Sequence, residues 1–207
     1  MPNFSFHTIQ TPAEGQFKDQ GSRFLAFAFP ASDENEVKTH LTMLRKKYHD
    51  ARHQGYAYVL GPGKEKFRAF DDGEPNHSTG DPILGQIRSR NLTNTLVVVV
   101  RYFGGIKLGI SGLIAAYRSA ASEALNAATL VERQVMFRVE VRFDLTATPE
   151  IMKLVKQFDL SVLEQEYGEK GQMLLEGQLR RAQQVKEKVA LLRATGSPID
   201  PLVEIVC

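Results

Sequence analysis

The chain has 207 residues, 43% of them hydrophobic and 24% charged, with a formal net charge of +2. That is the composition of an ordinary soluble protein, long enough for a sizeable core. No apolar run is long enough to span a membrane, and so small a surplus of charge does not by itself announce a nucleic-acid binder. The single cysteine, Cys207, rules out an intramolecular disulfide and a cysteine-based metal site.

The N-terminal MPNFSFHTIQ lacks the charged and apolar regions of a signal peptide, so a cytoplasmic protein is expected. Residues 4–9 alternate apolar and polar side chains and predict a strand. Within residues 17–29, the run Ser22-Arg-Phe-Leu-Ala-Phe-Ala-Phe29 predicts a second strand, stopped by Pro30. Asp33 with Glu36 resembles a capping box. Val37, Leu41, Leu44 and Tyr48 then recur at helical spacing, and the basic end Arg45-Lys46-Lys47 suits the C-terminal end of a helix. His49 and His53 are four apart, but no HExxH accompanies them and Gly55 signals that the helix has ended, so a zinc pair is not expected.

Residues 55–60 and 66–70 predict two further strands around Gly61-Pro62-Gly63. A polar loop follows: Asp71, Asp72, Gly73, Glu74, Pro75, then His77, Ser78 and Thr79. Two readings stand for it. The acids and the histidine hold a divalent cation or work as acid and base, or the carboxylates cap nearby backbone. A helix is predicted over residues 82–90. Thr95-Leu-Val-Val-Val-Val100, short, β-branched and bounded by turn signals, predicts a fully buried strand.

Arg101-Tyr102-Phe103 lead into Gly104, Gly105, Lys107, Gly109, Ser111 and Gly112, and a helix over residues 111–127 with Ser111 as N-cap. Neither GxxxxGK[ST] nor GxGxxG is present, so a nucleotide-binding fold is not indicated. Strand, glycine-rich turn with a lysine, and helix start is an arrangement that offers backbone N–H groups to an anion. The same glycines also suit tight turns and close packing. Both readings stay open at this point. Ser78 and Ser111 are not in a GxSxG elbow.

Beyond residue 130 the pattern restarts. Strands over residues 135–145, 160–167, 172–179 and 202–206 alternate with helices led by Thr148-Pro149-Glu150 and by Val185, Val189 and Leu192. The order βαββαβ is the ferredoxin-like plan. The expected class is α+β, in two domains over residues 1–130 and 131–207.

The centre of the chain resembles the Impact family, in its bacterial YigZ-type branch. The residues that carry the resemblance are Gly21-Ser-Arg-Phe24, Ala51 and His53 before Tyr56-Ala-Tyr58, Asp72-Gly-Glu-Pro75, Gly80, Pro82-Ile-Leu84, Val98-Val-Val-Arg-Tyr-Phe-Gly-Gly-Ile-Lys-Leu-Gly109, Gly112-Leu113 and Ala116-Tyr117. The match covers about residues 15–125. The resemblance implies a first domain like the second domain of a small-subunit ribosomal protein and a second like a domain of elongation factor G. It implies a non-enzymatic role in translation, since eukaryotic relatives compete for an activator of a stress-responsive kinase and bacterial relatives are linked to nucleic acid or the ribosome. RNA or the ribosome is the expected partner, through Arg101, Gly104, Gly105, Lys107, Gly109, Ser111, Gly112 and His53, with the second domain adding a sheet face. No cofactor and no metal are expected.

An enzyme acting on a phosphorylated small molecule through Asp71, Asp72, Glu74 or His53, and a protein-binding regulator, are the alternatives. The chain departs from the family pattern at His77-Ser-Thr-Gly80, where a small Gly-Thr-Ala/Ser-Gly stretch is usual. It departs also at Gly55, where Cys is common, at Ser111, where Gly is common, and at Ala115, where Arg is common. Loss of that arginine weakens a shared phosphate site. His77 either narrows the first loop or is itself a ligand.

Overall fold

The structure, a computed structural model, describes residues 4–205; Val206, expected to end the last strand, and Cys207 lie outside the described residues. The chain divides into two compact units, residues 5–133 and residues 134–205 with Phe4.

The first unit is built on a five-stranded antiparallel sheet. Its strands are β2 (Ala13–Asp19), β3 (Ser22–Pro30), β4 (His53–Leu60), β5 (Lys66–Phe70) and β6 (Thr95–Tyr102), in the order β2-β3-β6-β4-β5. The strand β1 (Ser5–Ile9) pairs separately with β7 (Leu130–Gln134). Alternation along each strand assigns its two faces. Phe24, Ala26, Ala28, Ala57, Val59, Val97 and Val99 pack under α2 (Gly80–Ser89) and α3 (Gly109–Ala127). Phe27, Phe29, Tyr56, Tyr58, Leu96, Val98 and Val100 pack under α1 (Glu34–Lys47). The central strand β6 is covered on both sides, which is why its valines are fully buried and why the sequence there shows no polar alternation.

The capping box at α1 closes with one change. Asp33 Oδ1 accepts from the N–H groups of Asn35 and Glu36, while Glu36 Oε2 accepts from the N–H of Ser32 rather than that of Asp33. Helix α3 begins two residues before the expected start. Leu108 is its N-cap with no side-chain cap bond, so Ser111 lies inside the first turn, exposed, and caps nothing. The edge strand β2 and the strand β7 were not foreseen; most of their side chains are exposed or only half-buried, so neither carries a strong apolar alternation.

The second unit runs β8 (Met136–Phe143), α4 (Thr148–Phe158), β9 (Ser161–Tyr167), β10 (Gly171–Gln178), α5 (Ala182–Ala194) and β11 (Val203–Ile205). Its sheet order is β11-β8-β10-β9, and the whole unit has the βαββαβ succession that the pattern predicts. The helix expected to be capped by Thr148 is instead led by a short 3-10 turn whose Asp144 accepts from Thr146 N–H, leaving Ala147 at the N-cap of α4. Val139, Val141, Phe143, Ile151, Leu154, Met173, Leu175, Val185 and Val189 form one core between sheet and helices. Among the described residues no helix is long and apolar enough to cross a membrane.

Candidate functional site

Parity along β6 puts Arg101 in the same row as Val97 and Val99, facing the layer of α2 and α3. It stands opposite Phe24 on β3 and His53 on β4. A cation at this depth needs a partner. Glu74 supplies it from the loop before α2: Arg101 Nη1 donates to Glu74 Oε1 at 2.6 Å, and the two side chains are 7% and 5% exposed. Tyr117, one of the fully buried residues of α3, donates its hydroxyl proton to the same oxygen at 2.9 Å. Burial, and then the charge of Glu74, hold that proton well above the ordinary tyrosine range, so Tyr117 stays a donor. Arg101 Nε makes no hydrogen bond among the described residues. The guanidinium carbon lies 5.5 Å from the ring centre of Phe24 and 5.6 Å from that of Phe103.

The other two acids of the loop point elsewhere. Asp71 accepts from three backbone N–H groups, those of His77 at 2.9 Å, Thr79 at 2.9 Å and Gly80 at 2.8 Å, and so caps the start of α2 from eight and nine residues back. Asp72 accepts from Gln54 N–H at 2.9 Å and pairs with Arg45 at 3.1 Å. His53 Nδ1 lies 3.0 Å from the carbonyl oxygen of Asp72. Ser78 turns inward and donates to the Pro75 carbonyl at 2.6 Å, and Thr79 is fully buried. His77 faces outward, with Nδ1 2.7 Å from Asp81, and adopts a left-handed φ of 64°. Among the described residues no group of three His, Cys, Asp or Glu is placed to hold a metal ion.

The glycine-rich loop, residues 103–109, is anchored at one end. A Cβ on Gly104 would fall 1.9 Å from the carbonyl carbon of Gly21, so two backbones touch where a side chain cannot fit. Gly104 N–H also donates to Ser22 Oγ at 3.1 Å. Gly105 adopts a φ of 92° and turns the chain outward with open space around its Cα. Lys107 is exposed and makes no hydrogen bond or ion pair among the described residues, and the first turn of α3 beyond it, including Gly109, Ser111 and Gly112, has no side-chain acceptor.

Between this loop and Glu74 lies a cavity of about 330 Å³. Its walls come from Pro75, Phe103, Leu108, Ile110 and Leu113, with Arg101, Glu74 and Lys107 as the charged lining. Phe103, Ile106 and Ile110 are 54%, 55% and 59% exposed and make the loop an apolar patch as well as a polar one. The sequence offered one signal for this: Phe103 and Ile106 sit among glycines, outside any strand or helix period. The structure therefore brings Arg101, Glu74, Lys107 and Gly109 around one cavity. It leaves Asp71, Asp72 and Ser78 bonded within the fold, Thr79 buried and held by its backbone N–H, and His77 on the α2 side.

In the second unit the face of the sheet away from α4 and α5 carries Arg138, Glu140, Arg142, Glu164, Glu166 and Glu176. Arg142 pairs with Glu140 and Arg138 with Glu176, each at 2.8 Å. Acids predominate, so this face does not offer the basic surface that a phosphate backbone requires.

The geometry is that of an α+β protein with a glycine-rich loop over a buried ion pair. The Impact N-terminal domain model matches residues 20–125. The IMPACT family member YvyE of Bacillus subtilis (strain 168) is 35% identical over 165 residues, covering 80% of this chain and 76% of that protein. The IMPACT family member YigZ of Escherichia coli (strain K12) is 30% identical over 148 residues, covering 70% of this chain and 72% of that protein. A crystal structure of a hypothetical protein superposes with a TM-score of 0.76 over 98% of both chains at 24% identity and shares the fold. The chain belongs to the Impact family.

Proposed function

We propose that this chain is a non-enzymatic factor of translation that engages RNA or the ribosome through the glycine-rich loop. One observation carries the reading. The acids that an enzyme would need are occupied, Asp71 and Asp72 by backbone N–H groups and Glu74 by Arg101 and Tyr117, while Lys107, Phe103 and the uncapped start of α3 face outward. Lys107, with the amides of residues 109–112 and the exposed Ser111, is the proposed contact for phosphate. Arg101, Gly104 and Gly105 shape the loop that presents them. His53 flanks the same end of the sheet beside Arg101.

The test is binding of purified ribosomes and total RNA across a salt series, comparing the wild-type chain with Lys107→Ala/Phe103→Ala. Both residues are exposed, and the melting temperature of the double variant is compared with that of the wild type. Binding that weakens with salt, and is about 10-fold weaker in the variant, is expected. Absence of binding at low salt by the wild type overturns the reading. Ribosome binding that withstands high salt assigns the loop to a protein contact instead.

A further inference from the structure

The cavity beside the glycine loop is built for more than an anion. We propose that it holds one unstacked nucleobase together with the adjoining phosphate, so that the chain selects single-stranded over double-stranded RNA; this rests on the RNA reading above and adds the form of the ligand. Three features converge on it. The volume of about 330 Å³ lies at the small end of ligand pockets, roughly 300–1,000 Å³, and suits a single ring system. The walls are apolar, and Phe103 stands at the edge of the cavity, 54% exposed, with the Arg101 guanidinium 5.6 Å from its ring centre to position it. The mouth is positive. Lys107 has no partner among the described residues, and α3, a helix of 19 residues, opens there with no side-chain acceptor on its first turn.

Arg101, 6% exposed, lies in the lining as the partner of Glu74, so the positive charge open to a ligand comes from Lys107 and the start of α3. Glu74, the carboxylate of the lining, is 5% exposed, and its Oε1 accepts from both Arg101 and Tyr117, so its charge is matched by Arg101.

The pairing of these features decides the ligand class. Inorganic phosphate alone would leave the apolar walls facing water. An apolar ring alone would leave the uncapped helix start and Lys107 unused. A base with its phosphate satisfies both. In a duplex the bases are stacked and paired, and their flat faces are closed to an aromatic side chain, so the strand must be open.

The experiment measures binding of the full chain to a labelled single-stranded oligoribonucleotide, to the duplex of the same sequence, to heparin as an anion without bases, and to AMP as a free base–phosphate unit. Each is repeated with Phe103→Leu and Lys107→Ala, whose melting temperatures are checked against the wild type. The proposal expects the single strand to bind at least about 10-fold tighter than the duplex, and Phe103→Leu to remove about 10-fold of single-strand affinity while leaving heparin unchanged. AMP binding that perturbs the amides of residues 105–112 supports the same site and shows that a free nucleotide suffices; binding of the oligonucleotide without AMP assigns the site to the RNA strand. Equal affinity for strand, duplex and heparin, untouched by Phe103→Leu, overturns the inference while leaving RNA binding in place. No binding of any nucleic acid overturns the RNA reading itself.

Discussion

Glu74 illustrates what one residue contributes and how little its neighbours reveal it. Asp71, Asp72 and Glu74 stand together in the sequence and read as one acidic cluster. Asp72 at a φ of 48° and Gly73 at a φ of 83° are both left-handed, and the chain reverses direction between them, so the three carboxylates diverge. Two end on backbone amides and one in the core beneath α3. The residue types were legible; the directions depended on backbone angles that no pattern of apolar positions encodes. Removing Glu74 leaves the Arg101 charge buried and unpaired. Glu74→Ala is therefore expected to destabilise the first unit by about 3–5 kcal/mol, read from urea unfolding. Arg101→Ala is expected to cost a similar amount, and the double variant clearly less than the sum. Additive losses would show that the pair is not coupled.

Among the elements, the loop between β6 and α3 shows the same division. The strand before it was legible because a β-branched run with no polar interruption has one good environment, a sheet covered on both faces. The helix after it was legible from Leu113, Tyr117, Ala121 and Ala124. The loop itself was recognised as glycine-rich, but its glycines have different tasks. Gly104 gives way to another backbone, and Gly105 turns the chain. These tasks separate on substitution. Gly104→Ala forces a Cβ into Gly21 and is expected to cost about 3 kcal/mol or more. Gly105→Ala meets open space and bears only the left-handed penalty of about 1–2 kcal/mol. Thermal unfolding of the two variants side by side checks the order, and equal shifts would refute the close approach at Gly104. The strand β2 was missed for a related reason: an edge strand with alternate residues in solvent carries little of the apolar signal by which strands are recognised.

At the scale of the molecule, the two cores were readable as a restart of pattern near residue 130. The pairing of β1 with β7, from residues more than a hundred apart, was not, because nothing in either segment names its partner. The first unit also carries a whole-molecule response to alkali. Tyr58 is buried against the sheet and donates to Glu34 at 2.8 Å; burial first, and then that hydrogen bond, push its pKa up to about 12, and Tyr117 is displaced upward as well. A tyrosine raised in the folded state stabilises fully below its ordinary value near 10 and loses that contribution as pH climbs through its folded value. The melting temperature is expected to hold up to about pH 10 and then fall through pH 12. Calorimetry on wild type and Tyr58→Phe tests this, since the variant should decline less steeply; identical slopes would remove Tyr58 as a cause.

The contact between Gly104 and the turn at Gly21 and Ser22 also sets an order of events. Those residues are 82 or more positions apart, so the anchor of the glycine loop cannot form by local collapse. It requires β3 and β6 to have found each other first, which is the slow kind of step in folding because a long loop must close before any contact rewards it. The Asp71 cap on α2, by contrast, spans only eight and nine positions and is available early. The first loop is thus finished in two stages, its Asp71 cap locally and its Glu74 only when Arg101 and Tyr117 arrive, and the surface around Phe103 and Lys107 exists only once the central sheet is complete.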